Sequence, residues 1–284
     1  MTAVKRLALG AVLAALALVW AGWLGAIRDP VVVRYRIELA GLQRPLRLVH
    51  LSDLHGSNWD MPQVRLNRII DQANALRPDL VVITGDFHAS KIWDPPMRLE
   101  DALRPLTRLH APLGVWSVPG NHDDPYWIRW VMRRFGLKLL AGALVDVGPL
   151  QIVGSDDLNV GNSPVEGVWA AAALAQPGKP VIALVHEPDL WAMLPPQVGL
   201  LLAGHTHGGQ IDLLGWPRLD PFYERYRRGR FRNAAGQQMV ISAGIGTSIV
   251  PMRLGTAPEI VVIELRPADP APIQPPGRKS GTDR

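Results

Sequence analysis

Five short motifs combine histidine, aspartate and asparagine side chains that could bind metal ions. The motifs are SDLH, TGD, GNHDD, LVHEP and GHTH, and together they contain five of the eight histidines. The chain has no cysteine, so any metal site must use imidazole, carboxylate and amide groups. Such a ligand set suits Mn, Fe, Zn, Mg or Ni. The side chains concerned are Asp53, His55, Asp86, Asn121, His122, Asp123, His186, His205 and His207.

This number of candidate ligands exceeds what a single ion requires and therefore favours two ions. Two divalent ions held about 3.5 to 4 Å apart can stabilise both the attacking and the leaving oxygen of a displacement at phosphorus. They also lower the pKa of a bridging water, which supplies hydroxide near neutral pH. Unrelated structural residues are the alternative, and they could explain any one motif better than all five together. The pattern therefore predicts hydrolysis of a phosphate ester.

Each motif stands at the end of a short apolar run, and helical patterns lie between the runs. Runs such as LRLVHLSD and VGLLLAG have the length and composition of buried strands. Apolar residues repeat at helical spacing in residues 66–76 and 99–109, and residues 125–135 form a third candidate helix. Strands that alternate with helices predict an α/β domain, in which ligands bind beyond the carboxyl ends of the strands. The last third has two strands without an intervening helix, so part of a sheet should be antiparallel.

The order D-x-H, G-D, G-N-H-D, H and G-H-x-H resembles that of the calcineurin-like metallophosphoesterases. The segments LVHEPD, AGHTHGGQI and GIGTSIVPMRLGTAPEI resemble the membrane-anchored bacterial branch of that family, the YkuE/YaeI-like phosphoesterases. The resemblance covers residues 45 to 266, which we interpret as the catalytic domain. It implies a four-layer α-β-β-α sandwich with two mixed β-sheets.

The resemblance also implies two sets of three metal ligands joined by one bridging carboxylate, with manganese favoured among the candidate divalent ions. Glycines at positions 204, 208 and 209 would free the backbone to direct His205 and His207 toward different ions. One set is Asp53, His55 and His207, the other set is Asn121, His186 and His205, and the bridge is Asp86.

Further residues are assigned to catalysis and to substrate binding. The resemblance implies that His122 contacts a phosphoryl oxygen or protonates the leaving group, with Asp123 as its orienting neighbour. Histidine can supply such a proton near neutral pH. Arg253 is expected to pair with a phosphate, although a structural loop with an exposed arginine would show the same pattern. His50 and His110 are interpreted as structural residues, and His88 as a loop histidine, with a substrate ligand as the alternative.

An uncharged run extends from Leu7 to Ile27. As a helix it would reach about 30 Å, the thickness of the hydrocarbon core of a bilayer. A cleaved signal peptide is the alternative, but the run is long for one and lacks a clear small-x-small cleavage site. Residues 1 to 28 are therefore interpreted as an uncleaved, single-pass membrane anchor that precedes the catalytic domain.

The basic residues that flank this run indicate its orientation. Two precede it and five follow it, so the positive-inside rule favours a cytoplasmic catalytic domain at a bacterial inner membrane. Some of these arginines are expected in a folded strand rather than a loop, and such residues are weaker evidence for the orientation of the helix. The flanking residues are Lys5, Arg6, Arg28, Arg34, Arg36, Arg44 and Arg47.

Two further segments bear on possible partners. Residues 267 to 284 are proline-rich and almost without large apolar side chains, which predicts a disordered tail. In residues 216 to 233 six arginines interleave with aromatic side chains, which suits either a lipid-linked phosphate at a membrane or a solvated, salt-bridged surface loop. No recognised nucleic-acid-binding motif accompanies the formal charge of +5, so nucleic acid is not expected as a partner.

These features together predict a membrane-anchored, two-metal phosphoesterase that cleaves a phosphodiester or pyrophosphate bond through attack of metal-bound hydroxide. The branch resemblance suggests a lipid-linked substrate, and UDP-2,3-diacylglucosamine cleavage in lipid A biosynthesis is the specific candidate. A cytoplasmic site would fit that substrate. Two alternatives stay open: a phosphomonoesterase or protein phosphatase, and a metal-binding scaffold without catalysis.

Overall fold

The computed structural model describes residues 2–89, 91, 92, 94, 97–156, 164–212 and 225–268. Within these residues, twelve strands form two six-stranded sheets, each with parallel and antiparallel neighbours. Short runs of branched and aromatic residues form these strands, as their β propensity predicts. The predicted α/β class with two mixed sheets is confirmed.

The first sheet has the strand order β1-β12-β2-β3-β4-β5. Its neighbours pair in parallel except β12 and β2, which are antiparallel. The strands are β1 (Val31–Leu39), β2 (Leu46–Leu51), β3 (Leu80–Thr84), β4 (Val115–Val118), β5 (Lys138–Leu139) and β12 (Glu259–Pro267).

The second sheet has the order β10-β11-β9-β8-β7-β6, with antiparallel pairs at its two edges. The three central pairings are parallel. The strands are β6 (Ala143–Asp146), β7 (Gln151–Gly154), β8 (Val181–Leu184), β9 (Val198–Ala203), β10 (Gly229–Arg232) and β11 (Gln238–Ile241).

Three apolar clusters separate four layers of secondary structure. Between the sheets, Leu48 and Val82 of the first sheet pack in one cluster with Leu200 of the second. On the outer face of the first sheet, the cluster includes residues of α2 (Gln63–Ala75), α3 (Leu99–Leu103) and α4 (Pro125–Phe135). On the outer face of the second sheet, it includes residues of α5 (Pro164–Ala173). The four-layer arrangement therefore follows from strands that are apolar on both faces.

The helices follow local signals, with one difference from the predicted pattern. At the start of α4, the Asp124 carboxylate accepts hydrogen bonds from the amides of Tyr126 and Trp127. The apolar repeat over residues 99–109 does not form one α-helix. It forms α3 and then a 3₁₀ turn, Arg104–Arg108, because Pro105 has no N–H to donate to a helical carbonyl.

The folded region extends beyond the predicted limits of 45 and 266. β1 precedes residue 45 and pairs in parallel with β12 over nine residue pairs, and it contains Arg34 and Arg36. At the other end, β12 includes Pro267, and the amide of Ala268 donates to the carbonyl of Leu39. The predicted tail beyond residue 268 lies outside the described residues.

The arginine-rich segment predicted as one loop, residues 216 to 233, is divided in the structure. Residues 216–224 lie outside the described part. Residues 229–232 are the edge strand β10, and Tyr226 and Phe231 pack against the outer cluster of the second sheet. Their rings are 5.0 Å apart at the centroids and support the fold. These two aromatic side chains are therefore not free to enter a membrane.

One described helix, α1 (Ala3–Ile27), is long and apolar enough to cross a membrane. A signal sequence would satisfy the same criteria of length and composition. Most of the helix is exposed, whereas Gly22 and Ala26 near its end are buried against the domain. Against the described residues, the buried positions of α1 therefore lie in its last turns.

Candidate metal centre

All seven predicted metal ligands follow the carboxyl ends of central strands. Asp53 and His55 follow β2, and Asp86 follows β3. The remaining four ligands follow β4, β8 and β9, so both sheets contribute to one end of the sandwich. Backbone hydrogen bonds join the loops, including the amide of His55 to the carbonyl of Asp86 at 2.9 Å. The topology brings residues more than 150 positions apart into one cluster.

The first set of ligand atoms converges at a buried point. His55 Nε2 lies 3.0 Å from His207 Nε2 and 3.2 Å from Asp86 Oδ2, and His207 Nε2 lies 3.4 Å from Asp53 Oδ1. The ligand atoms of these four residues all lie within 4.8 Å of one another. Ligands about 2.1 Å from one ion and at right angles to each other are about 3 Å apart, so these spacings suit a common cation.

The second set shows the same spacing. His186 Nε2 lies 2.9 Å from Asn121 Oδ1, and His205 Nδ1 lies 3.0 Å from the same oxygen. The two imidazole nitrogens are 3.3 Å apart, and Asp86 Oδ2 lies 3.2 Å from His186 Nε2. One oxygen of Asp86 thus contacts both sets.

The chemistry of these donors fits divalent metal ions. His186 Nδ1 lies 2.7 Å from the carbonyl of Thr84, and a carbonyl only accepts, so this nitrogen carries a proton. Once Nε2 loses its proton, the neutral ring directs the lone pair of Nε2 at the cluster, as metal-binding histidines do. Imidazole, carboxylate and amide groups that converge in this way, without sulfur, suit a divalent cation.

Burial and the Asp86 carboxylate control the charges at the site. Burial alone would raise the pKa of Asp86, but His186 and His55 hold it well below its ordinary value. The pKa of His205 is lowered to about 4, mainly by burial and secondly by the nearby His186. Burial alone would also lower the pKa of His186, but Asp86 raises it to about 10, so an ion bound there must displace a proton.

The backbone of the site is strained at five of the predicted ligands. A left-handed conformation costs a residue with a side chain about 1–2 kcal/mol, and it is usually adopted by glycine. The sequence pattern assigns this freedom to Gly204, Gly208 and Gly209. In the structure Gly208 and Gly209 do have positive φ angles, of 58° and 94°, and the two histidines adopt the same conformation. Strain of this kind is concentrated at functional sites. The positive φ angles are 52° at Asp53, 46° at His55, 56° at Asp86, 67° at His205 and 52° at His207.

Asp123, predicted to orient His122, contacts other groups instead. Its buried carboxylate accepts hydrogen bonds from the amides of Gly120, Asp86 and Phe87, each at 2.9 Å. The pKa of Asp123 is raised to about 7, mainly by burial and secondly by the charge of Asp86. These three amides belong to the turns that carry the predicted ligands, so Asp123 positions the Asp86 backbone rather than the His122 ring. A sequence motif does not show whether the Asp123 carboxylate contacts the Asp86 backbone or the His122 ring.

His122 lies at the exposed edge of the cluster. Its amide donates to Asp86 Oδ1 at 2.9 Å, and its Nε2 lies 3.3 Å from Ser248 Oγ. Its ring centroid is 5.1 Å from that of His55. Partial burial lowers the pKa of His122. The side chain therefore borders the site without joining either set of ligand atoms, and Ser248 is a neighbour that the sequence pattern did not identify.

Arg253, predicted to contact a phosphate, is only 2% exposed. Its guanidinium donates to the carbonyls of Gly246 and Ala243 at 2.7 and 2.8 Å and lies 3.5 Å from His207 Nδ1. These contacts place it behind His207 rather than at the open side of the site. In this structure Arg253 holds together the loops that position His207.

The other histidines have the contacts of structural residues. His50 is buried and lies 2.8 Å from Thr84 Oγ1, and burial lowers its pKa to about 3. His88 Nε2 lies 2.6 Å from the carbonyl of Met97. His110 is exposed and lies near the carbonyl of Arg108.

A buried ion pair beside the site has no counterpart in the predicted set. Lys91 Nζ lies 2.5 Å from Asp60 Oδ1 and 3.2 Å from Ser57 Oγ. Thr247 Oγ1 donates to the other Asp60 oxygen at 2.6 Å. Burial alone would raise the pKa of Asp60, but Lys91 holds it below its ordinary value. The pair joins three loops near the cluster, and no local pattern links residues 31 and 187 positions apart.

The comparisons with known proteins agree with this geometry. A family model described as calcineurin-like phosphoesterase matches residues 46–209. The uncharacterized metallophosphoesterase YkuE of Bacillus subtilis is 32% identical over 237 residues, which cover 78% of this chain and 79% of that protein. An uncharacterized metallophosphoesterase of Aquifex aeolicus is 28% identical over 246 residues, which cover 83% of this chain and 91% of that protein.

A relative from Danio rerio is named transmembrane protein with metallophosphoesterase domain. It is 29% identical over 272 residues, which cover 87% of this chain and 60% of that protein. The predicted family and its YkuE-like branch are therefore confirmed. With its buried cluster of aspartate and histidine ligands, the chain belongs to the calcineurin-like phosphoesterase family and is a metal-dependent phosphoester hydrolase.

Proposed function

We propose that this enzyme uses two divalent metal ions to hydrolyse a phosphodiester or pyrophosphate bond. The number of ions is supported by one observation. Asp86 Oδ2 lies 3.2 Å from a nitrogen of His55 in one ligand set and 3.2 Å from a nitrogen of His186 in the other. A single carboxylate oxygen placed between two sets of ligands is suited to bridge two ions, because it can donate electron density to both.

Three side chains beside the Asp86 bridge would hold each ion. When bound, the pair supplies Lewis acidity for the phosphoryl group and a lowered pKa for a bound water. Among the divalent ions that such nitrogen and oxygen ligands suit, we favour Mn²⁺, as the family resemblance does. The residues of the two sets are Asp53, His55 and His207, and Asn121, His186 and His205.

His122 is proposed as the residue that contacts the phosphoryl oxygen or protonates the leaving oxygen. Its position at the exposed edge supports this role, because a substrate held at the cluster would lie beside it. The hydrogen bond from its amide to Asp86 fixes the backbone, and Ser248 lies beside Nε2. Asp123 acts further from the substrate by holding the amide of Asp86.

The substitution His122→Ala is expected to lower kcat for a phosphodiester by about 10²–10⁴-fold, the usual contribution of a general acid. Both ions should be retained, because the His122 side chain joins neither ligand set. Metal analysis and kinetics on the same sample check both statements. His110→Ala, on the exposed surface, is the matched control and should behave as the wild type. Loss of both ions in His122→Ala would refute its non-ligand role.

The preferred bond is tested with two chromogenic esters. The Mn²⁺-loaded full chain should hydrolyse bis-p-nitrophenyl phosphate with a higher kcat/KM than p-nitrophenyl phosphate. A preference for the monoester would instead support a phosphomonoesterase or protein phosphatase. Folded, metal-loaded protein that hydrolyses neither ester would support the scaffold alternative.

A lipid-linked substrate and a membrane location complete the proposal. Residues 1–28 would form an uncleaved anchor in a bacterial inner membrane, with the catalytic domain, residues 45–266 together with β1, on the cytoplasmic side. The apolar length of α1 supports the anchor. The basic residues after α1 favour the cytoplasmic side. UDP-2,3-diacylglucosamine is our specific candidate, because it joins a pyrophosphate bond to acyl chains that stay in a membrane.

A further inference from the structure

The last turns of α1 pack closely against residues 248–253, which we call the rim loop. The amide of Arg253 donates to the carbonyl of Gly22 at 2.8 Å. A Cβ atom at Gly22 would lie 2.6 Å from Met252 Cε, and one at Gly25 would overlap the carbonyl oxygen of Arg253. The missing side chains of two glycines therefore allow the helix to dock on this loop.

The rim loop also borders the metal cluster. Ser248 Oγ lies 3.3 Å from His122 Nε2, and the buried Arg253 lies behind His207. Gln210 holds the loop from the other side, since its side-chain amide donates to the carbonyls of Ser248 and Val250 at 3.1 Å. One short segment thus connects the end of the apolar helix with the open side of the site.

The length of α1 places this loop at the surface of a bilayer. The apolar residues 7–27 reach about 30 Å along the helix, which equals the hydrocarbon thickness of a typical bilayer. Residues 22–27 account for about 9 Å of that length, and it is in this part that the domain contacts the helix. The whole apolar run can therefore lie in hydrocarbon only if the rim loop reaches the membrane boundary.

Exposed apolar side chains stand at the same edge. Ile249 in the rim loop is 57% exposed and has a φ of 61°, a conformation that branched side chains rarely adopt. Ile92 is also exposed, and its amide donates to the carbonyl of Ile249 at 3.0 Å. Trp59 is exposed on the adjoining loop, where its amide donates to Asp94. Tryptophan is enriched at membrane interfaces because its ring combines apolar and polar character.

We propose that Trp59, Ile92 and Ile249 enter the bilayer interface beside α1, so that the metal site opens toward the membrane surface. The substrate is then a phosphate ester of an amphiphile whose apolar chains stay in the bilayer while its phosphate reaches the metal site. The choice of ester rests on the proposed function, whereas insertion of the three side chains can be measured without turnover.

Insertion can be measured directly because the chain has no cysteine to compete for a label. A nitroxide is attached to Ile249→Cys in the full-length protein in vesicles of phosphatidylcholine and phosphatidylglycerol. Its collisions with oxygen, which concentrates in the bilayer, are compared with collisions with a water-soluble nickel chelate. Leu174→Cys is the control. Leu174 is 76% exposed and stands two residues before Gln176, whose amide donates to Gln151 at the first residue of β7, the end of that strand away from the metal cluster.

The proposal predicts a several-fold higher ratio of oxygen to nickel collisions at position 249 than at position 174. Equal ratios at the two positions would overturn it. In the labelled Ile249→Cys chain, Gly25→Ala should lower the ratio because it separates α1 from the rim loop. Gly10→Ala, in the same helix, should leave the ratio unchanged, because a Cβ atom at Gly10 meets nothing within 4 Å.

The substrate class is tested with two esters that share a leaving group. p-Nitrophenyl hexadecyl phosphate in vesicles should be hydrolysed with a several-fold higher kcat/KM than soluble p-nitrophenyl methyl phosphate. Equal values would overturn the assignment of an amphiphilic substrate. Hydrolysis of neither ester would contradict the proposed phosphodiesterase, and the nitroxide measurement would still decide whether the rim enters the membrane.

Discussion

Replacing Asp86 with alanine is expected to abolish binding of both metal ions and to lower phosphodiester turnover at least about a thousandfold. The reason is its shared oxygen, which contacts His55 and His186 at 3.2 Å in the two ligand sets. Loss of one carboxylate therefore removes a ligand and a negative charge from both sites.

Metal content per chain and kcat/KM for bis-p-nitrophenyl phosphate measure this effect on the same preparation. Asp71→Ala is the matched control, because Asp71 is an exposed aspartate paired with Arg108 on the surface. Circular dichroism should show that both variants are folded. An Asp86→Ala protein that keeps close to two ions would show that the carboxylate is not the bridge.

Replacing Lys91 with methionine is expected to lower the free energy of unfolding by about 3–5 kcal/mol. Lys91 and Asp60 side chains are both fully buried, and their charged atoms are 2.5 Å apart. Methionine preserves the apolar length of the side chain but leaves the Asp60 carboxylate without its cation. A buried charge without a partner is far less stable than a solvated one.

Denaturant unfolding of the metal-free protein measures this loss without a contribution from metal binding. Lys179→Met is the control, because Lys179 forms a more exposed pair with Asp146, and such pairs contribute about 0–1 kcal/mol. The double variant Lys91→Met with Asp60→Asn should recover part of the loss, since the unpaired charge is then removed. Equal losses in the two lysine variants would refute the structural importance of the buried pair.

The location of the site could be predicted from the sequence because its motifs follow apolar runs. Parallel strands end at the same edge of a sheet, so polar residues after β2, β3 and β4 had to lie near one another. The two sheets then face each other in the sandwich, which brings His186 and His205 to the same edge. The order of the motifs, through the family resemblance, also predicted that the metal ligands form two sets. The observed distances between the ligand atoms are consistent with that prediction.

Contacts between distant loops could not be predicted in the same way. Asp123 is adjacent to His122 in the chain, yet its carboxylate binds amides, because the Gly120 turn directs it inward. Arg253 follows a glycine-rich segment typical of a substrate loop, but the structure buries it against main-chain carbonyls. Which side of a loop faces the solvent depends on packing that no local pattern contains.

The pairing of β1 with β12 could not be predicted for a related reason. β1 pairs with β12, and the first pair joins Val31 to Glu259 across most of the chain. A pattern confined to neighbouring residues carries no information about such a partner. The docking of α1 on the rim loop depends likewise on Gly22 and Gly25, which look unremarkable within an apolar helix.

The number of metal ions bound to the full-length protein, and their effect on activity, show whether the protein is a two-metal phosphoesterase. Plasma mass spectrometry on the purified chain in detergent gives metal content, and turnover of bis-p-nitrophenyl phosphate is measured before chelation, after chelation and after restoration with Mn²⁺. We expect close to two ions per chain, loss of turnover on chelation and its recovery with Mn²⁺. Folded protein that binds no metal, or whose turnover is unaffected by chelation, would contradict this expectation.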